Sequence, residues 1–341
     1  MSITPPSRGA IKTLAFGDTR LPQEFTVGLV EPNAEIAVWL DGMGLPLDVT
    51  RCHCAVCSEP FIICVGFEGR KPNPDDLGRL SLRFCERDGQ KRVLGEIGLR
   101  VNPAISGADS ELLFFEARSS ANYCLPKRYL WAHYLLHACS QWRRDDSSEV
   151  KMTFLERRAA MVTFIRPHPI SLVSLAGEAG GNIFPMNISN ELGNGRFAFA
   201  LREDRLASHL VEQAGRIAVS SVPVTQAPVA YQLAANHRRR SIDWDRLPFA
   251  TKMSAKFSIP VPIFALRVRE MEIEQVYKLG SHTCFVARIV GDKTFAEGPG
   301  LCVIHGFYQA WRLQGRRAEL QASVAEDSSN KRGLYQVPGL E

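Results

Sequence analysis

No apolar run in this chain approaches the ~18 residues that a membrane-spanning helix requires, so no membrane partner is expected. A disulfide framework is missing too. Nine cysteines is an odd number, scattered over 341 residues, and points to reduced thiols in a cytoplasm. Met1 to Gly9 is rich in Ser, Pro and Thr and has no apolar stretch of the secretory kind, which fits the same compartment. Gly-x-Gly-x-x-Gly at a strand-to-helix junction, Gly-x-Ser-x-Gly and the Walker sequence are all absent. Their absence leaves Rossmann dinucleotide binding, α/β-hydrolase chemistry and P-loop hydrolysis unsupported. Long basic runs are lacking as well. A net charge of +5 suits an anionic small ligand but is too weak to argue for nucleic acid.

What is present describes a folded protein. Hydrophobic residues make up 45% and charged residues 23%, which excludes wholesale disorder. The length predicts two domains, each able to bury a core. Short apolar stretches separated by turn residues, such as Ile36–Leu40 and Phe61–Val65, read as strands, and Gly69–Asp76 reads as a loop. Arg128–Trp142 is apolar without Pro or Gly and fits helix or strand equally. The charged stretch Arg143–Glu149 marks the expected boundary. Beyond it, Ile170–Leu175, Phe197–Leu201 and Thr283–Val290 read as strands, as does the alternation of Leu266 and Val268 with Arg267 and Arg269. A short helix fits Arg205–Ala214, with Leu206, Leu210 and Val211 on one face and Asp204 as its N-cap. Many strands and few helices predict a mainly β protein, a barrel or sandwich. The expected division is 20–146, 151–316 and a tail over 317–341.

The two halves echo each other. Val38-x-Leu40-x-Gly42 matches Val173-x-Leu175-x-Gly177, and each is followed by a turn and a further strand, Phe61–Val65 against Phe197–Leu201. His137, Gln141, Trp142 and Arg143 answer to His305, Gln309, Trp311 and Arg312, with one residue inserted in the second set. Shared turn grammar among β proteins would give similar matches by coincidence. Their common order favours duplication.

The most specific signals lie in the second half: Arg166-Pro-His-Pro-Ile-Ser-Leu-Val173, Pro185-Met-Asn-Ile-Ser189, Gly280-Ser-His-Thr-Cys-Phe-Val286 and His305-Gly-Phe-Tyr308. Taken in order over Met161 to about Arg316, they resemble the flavin reductase family of FMN-binding split barrels. The resemblance implies two tandem split β-barrels, the first degenerate, packed as an intrachain pseudo-dimer or else a homodimer. It implies FMN, or FAD, as cofactor and NAD(P)H as hydride donor. A two-component monooxygenase is then one candidate partner. On the family pattern, Met186, Asn187, Ile188 and Ser189 meet the flavin and its phosphate, while His282 and His305 lie near the reacting rings. Three departures stand out: Ala207 where a Thr or Ser is usual, Gly193-Asn-Gly-Arg196 in place of an Asp-Pro-Pro-like turn, and Ser281 where Asp is common.

Physical chemistry supports parts of this pattern. A phosphate needs several N–H donors and one or two cations. Backbone N–H groups of 186–189, the side chains of Asn187 and Ser189, and the free N–H groups at the start of the 205–214 helix are suitable donors. Arg202 and Arg205 flank that start, and Ser208 offers a hydroxyl. The same residues also read as an ordinary cap with two solvated arginines. Tyr308 and Phe307 can lie against a ring or fill a core. His282 and His305 read equally well as hydrogen-bonded residues at strand ends. His237-Arg-Arg-Arg240 is either a contact for a nucleotide phosphate or a solvated loop. In the first half, Cys52-His53-Cys54 and Cys57 invite a metal reading. Adjacent strand residues face opposite ways and no second cluster follows, so no metal ligand is assigned. A flavin oxidoreductase therefore leads. A non-catalytic binder of a flavin or phosphate ligand and a metal-binding interaction protein are the other classes.

Overall fold

The structure, a computed structural model, describes residues 24–67, 80–87, 89–106, 111–142, 150–177, 180–313 and 326–327. The Gly69–Asp76 loop, the Arg143–Glu149 boundary and all of the 317–341 tail but two residues lie outside the described residues. No described helix is long and apolar enough to cross a membrane.

The chain opens with β1 (Glu24–Leu29) and builds a first lobe from β2 (Ile36–Asp41), β3 (Leu47–Asp48), β4 (His53–Ser58), β5 (Phe61–Gly66), β6 (Ser81–Glu86), β7 (Val93–Val101) and β8 (Leu112–Asn122). Helix α1 (Lys127–Trp142) and helix α2 (Phe154–Thr163) follow, then the short β9 (His168–Pro169). The second lobe comprises β10 (Ser171–Gly177), β11 (Gly180–Met186), β12 (Ser189–Gly193), β13 (Arg196–Arg202), helix α3 (Leu206–Ala214) and β14 (Arg216–Ser221). Helix α4 (Ala227–Gln232) and a small hairpin of β15 (Thr251–Met253) and β16 (Pro260–Pro262) precede the long β17 (Arg267–Lys278) and β18 (His282–Thr294). The described chain closes with β19 (Gly300–His305), helix α5 (Gly306–Leu313) and β20 (Glu326–Asp327).

Each lobe is one seven-stranded antiparallel sheet. The orders are β3-β2-β6-β7-β8-β5-β4 and β11-β10-β14-β17-β18-β13-β12, which is the same order strand for strand. In the second sheet β11 and β12 are opposite edges, yet only Asn187 and Ile188 separate them. Three residue steps reach at most about 11 Å. The edges of a flat seven-stranded sheet would lie roughly 29 Å apart at about 4.8 Å per strand. The sheet must therefore curl until its edges meet without pairing, which makes a split barrel. Its interior is filled by Val173, Phe184, Phe199, Ile217, Met271 and Phe285, contributed by strands all round the sheet. The expectation of a mainly β, split-barrel architecture holds, and the stretch left open as helix or strand is α1.

The packing runs across the expected 146/151 division. Ala159, Met161 and Val162 of α2 join the core of the first lobe, together with Val27 of β1, Ile304 of β19, and Phe307 and Trp311 of α5. Strand β19 lies between β1 and β9, tying the beginning of the described chain to its end. A buried ion pair fastens this closure: Glu35 accepts from Tyr308 Oη at 2.6 Å and from Arg312 Nη2 at 3.1 Å.

The lobes meet through equivalent strands. Val56, Ile62, Cys64 and Phe114 from β4, β5 and β8 pack against Leu192, Ala198, Ala200, Cys284 and Val286 from β12, β13 and β18. At the rim, Asn190 donates to the carbonyls of Thr50 (3.0 Å) and His53 (2.7 Å), while buried Arg166 donates to Asn190 Oδ1 at 2.8 Å and to Asn33 Oδ1 at 3.0 Å. Cys54 and Cys57, two of the residues that invited the metal reading, belong to this apolar interface together with Cys64. Burial pushes the Cys54 thiol up to about 12, which keeps it protonated and a poor ligand.

Gly66 faces the backbone of the other lobe so closely that a Cβ would lie 2.2 Å from the Leu192 carbonyl oxygen. Gly66→Ala is therefore expected to cost about 1–3 kcal/mol in urea unfolding. Gly177→Ala, with its nearest neighbour at 3.8 Å, should be close to neutral. Equal midpoints for the two variants would contradict the tight contact between lobes.

Candidate functional site

The curling of the second sheet creates a seam between β11 and β12, and the candidate site lies at one end of it. Asn187 and Ile188 cross the seam, and both are half-buried. Ile188 stays next to β13, since its carbonyl accepts from Ala200 N at 3.0 Å. The last rung of the β13–β18 ladder pairs Arg202 with His282. Beyond Arg202 the chain turns into α3. Its N-cap is Arg205, in extended conformation and with no side-chain capping bond, so Asp204 is not the cap expected from the sequence. Asp204 instead pairs with Arg202 in a two-pronged contact (2.9 and 2.7 Å) and approaches Arg205 at 3.5 Å. The buried residues of α3 are Ala207, Ser208 and Val211, whereas Leu206 is exposed.

A segment inserted after β14 contributes a further cation. Asn182 donates to the carbonyls of Asn236 (3.1 Å) and Arg239 (2.8 Å), and Asn236 returns a bond to Ile183 O at 2.8 Å. His237 packs on Phe184 and bonds Pro185 O at 2.8 Å. The basic stretch from His237 is thus clamped to β11. The Arg205 guanidinium loses basicity to burial first and then to Arg202, with Arg238 adding to the effect, which places these cations within electrostatic reach of one another. Arg202 and Arg205 thus share Asp204 beside a helix start with no side-chain cap, and Arg238 lies within electrostatic reach of Arg205.

An open cleft of about 390 Å3 adjoins this end, lined by Arg202, Glu203, Asp204, Gly280 and Ser281, by Lys151 from the link between lobes and by Glu59 from the first lobe. Its size falls in the range of about 300–1,000 Å3 typical of ligand sites. A hollow of about 510 Å3 elsewhere is lined by Arg100, Ala117, Arg118 and Leu155. Its Arg100 is already paired with Glu116, and the start of α2 beside it is closed by the capping box of Thr153 and Glu156.

His282 is buried, and its pKa falls to about 4 because burial disfavours the charged ring and Arg202 adds to that, against Asp204. It is neutral at physiological pH. The first lobe has no counterpart to this pair: the last rung of the equivalent β5–β8 ladder is Gly66 with Leu112.

The sequence-expected residues divide. Arg202, Arg205 and His282 come together at the end of the seam, whereas Asn187 crosses it with its backbone against His168 and Ile188 packs toward the interface between lobes. Met186 lies in the core of the second barrel, and Ser189 is a buried strand residue paired with Phe199, so 186–189 is two strand ends and a two-residue link rather than a loop. Ser208 is 1% exposed, with no free surface for a phosphate. Tyr308 is fully buried and holds Glu35. His305 lies in the aromatic core with His133 and Phe307, its Nδ1 accepting from Phe307 N at 3.1 Å. These five belong to the packing. His137 sits deep within α1 whereas His305 precedes α5, so that part of the apparent repeat is not structural. Sequence reasoning missed Glu59 and Lys151, which only the packing of the lobes brings to the cleft. Ser281 stood out only as a departure from Asp.

No protein-family profile matches the chain, and no curated protein does. Part of the chain is similar to solved structures. An FMN-binding protein from Thermus thermophilus is 22% identical, over 40% of this chain and 81% of its own, with a TM-score of 0.36. An NADH:FAD oxidoreductase from Streptomyces globisporus is 16% identical over 48% and 95%, with a TM-score of 0.40. The flavin reductase of the styrene monooxygenase from Pseudomonas putida is 25% identical over 42% and 90%, with a TM-score of 0.34.

Two further buried histidines flank Arg166. Burial, with Arg166 second, lowers His53 and His168 to about 3 each. The unfolded chain takes up their protons near pH 6.5 and the folded chain does not, so stability is full above 6.5 and falls as pH drops toward 3. Each ring is expected to remove about 2 kcal/mol between pH 7 and pH 5. Urea unfolding at the two pH values tests this. A His168→Gln chain that lost as much stability as wild type over that interval would contradict the assignment.

Proposed function

We propose that the protein is an NAD(P)H-dependent flavin oxidoreductase with one flavin site per chain, at the seam of the second lobe. The observation that carries this reading is the asymmetry between lobes with the same strand order. Among the described residues, the last rung of the second lobe's β13–β18 ladder is a cation with a neutral histidine, Arg202 and His282, where the equivalent rung of the first lobe is Gly66 with Leu112. The sequence resemblance to flavin reductases over 161–316 points to the same place.

The residues present fit an FMN phosphate in kind. The N–H groups at the start of α3 offer donors and the positive end of the helix dipole. Arg205 and Arg238 supply charge, and Asn187 supplies a side-chain donor. Arg202 must be shared with Asp204, an exposed partner whose ion pair is worth little. When bound, the flavin accepts a hydride from the reduced nicotinamide. The chain's own task is to hold the two rings against each other and keep water out. His282, neutral and fixed at the strand end, offers a hydrogen bond without carrying charge. FAD in place of FMN, and a monooxygenase as the consumer of reduced flavin, remain part of the proposal. So does the origin of the two lobes by duplication, with the first retaining its barrel as an internal partner and the boundary falling at 143–149.

The purified chain is expected to bind FMN and to lose its absorbance at about 450 nm when NADH or NADPH is added. Asn187→Ala combined with Arg205→Gln should weaken FMN binding by about tenfold or more, since each lost charge-assisted bond is worth about 1.5–3 kcal/mol. Tyr308→Phe should leave FMN affinity unchanged while lowering stability. Bound flavin that does not bleach would favour a non-catalytic binder. Equal affinity in wild type and the double variant would remove the seam from the site.

A further inference from the structure

The start of β18 is held by the other lobe. Gly280 has φ of +112°, and a Cβ there would lie 2.5 Å from the Glu59 carbonyl oxygen, so only glycine lets the two backbones approach. Ser281 N donates to Glu59 O at 2.9 Å, and Glu59 N donates back to Ser281 Oγ at 2.9 Å. Ser281 Oγ in turn lies 2.9 Å from His282 Nδ1 and 3.4 Å from Cys57 Sγ.

These contacts determine where the protons go. The Glu59 N–H can only donate, so it takes one lone pair of Ser281 Oγ. The single hydroxyl proton then has two acceptors in reach, an imidazole nitrogen and a sulfur. Sulfur is a weak acceptor, and Cys57 Sγ already lies 3.3 Å from two carbonyls, of Glu59 and Leu279, to which its own proton is directed. The hydroxyl proton goes to Nδ1. His282 must then carry its hydrogen on Nε2.

We propose that Ser281 is a positioning residue for the site, and that the first lobe, through the Glu59 peptide, fixes His282 as the neutral Nε2–H tautomer. This rests on the flavin reading for its functional meaning but not for its test. The first lobe is thereby part of the second lobe's site rather than a spent copy. Of the charged groups around the ring, Arg202 favours the neutral state and Asp204 the charged one, with burial deciding for neutral. Arg202 is its cross-strand neighbour, Asp204 opposes Arg202, and Glu203 is occupied by Thr283 and Lys278. Serine at 281, in place of the family's usual acid, sets a hydroxyl against Nδ1 where a carboxylate would favour the charged ring.

Nitrogen-15 NMR of the full chain, with labelled histidine and His282→Gln to assign the signal, tests this without any flavin. At pH 7 the expected state is the Nε2–H tautomer alone. In Ser281→Ala, the bond that favours the neutral ring is lost, so the pKa of His282 should rise, while Ser281→Thr should hold it at the wild-type value. If Nδ1 instead donated to Ser281, the same removal would lower the pKa. An Nδ1–H tautomer in wild type, or a pKa that falls or stays put in Ser281→Ala, would overturn the proposal. In turnover with NADH and FMN, Ser281→Ala should lower kcat about three- to tenfold with KM for FMN within about twofold of wild type. A changed tautomer with unchanged kcat would overturn the positioning role. A wild-type chain that reduces no flavin while showing the expected tautomer would count against the flavin reading alone.

Discussion

The two-residue link between Met186 and Ser189 is the constraint on which the second lobe depends. It joins opposite edges of a seven-stranded sheet and so forces the sheet to close on itself without a closing ladder. A closed ladder would satisfy every edge donor within the barrel. A split leaves a seam whose backbone and end residues face whatever lies beside it. On one side that neighbour is the other lobe, met through Asn190 and the apolar faces of β12, β13 and β18. At the end of the seam it is the start of α3, with Arg202, Arg205 and His282 gathered round it.

The same closure explains why the molecule is not two separable beads. The first lobe borrows α2, β19 and α5 to complete its core. The second lobe relies on the first to bury its outward strand faces. Arg166 and the Glu35–Arg312 pair are charges taken out of water where the two systems lock together. Buried charges of this kind are costly unless fully hydrogen-bonded, and removing one partner usually costs more than the pair contributes. They mark where the relative placement of the lobes is specified rather than where most of the stability arises.

Much of the architecture was legible in the residues. Strands such as Phe61–Gly66 and Arg196–Arg202 announced themselves by apolar runs between turn residues, and their matching order gave the repeat. Helix α1 was ambiguous because its apolar residues follow neither period cleanly. The site was legible only in part. Arg202 and Arg205 were read together as sequence neighbours flanking a helix start, whereas His282 was placed there by the resemblance and meets Arg202 only through the β13–β18 ladder. Met186 and Ser189 were misread because Pro185 and Asn187 look like loop punctuation, whereas here they bracket the end of one edge strand and the start of another. Tyr308 and His305 belong to a helix and strand that fold onto the first lobe. That long-range packing leaves no trace in local spacing. The same reason hid Glu59, which reaches the site from 222 positions away along the chain.

The central claim is that two sheets of one topology carry a single flavin site. Equilibrium titration of the full chain with FMN, followed by calorimetry, measures it directly. One FMN per chain is expected, its affinity lowered about tenfold or more by the Asn187→Ala, Arg205→Gln double substitution. Two equivalent sites per chain, or none at all, would contradict it.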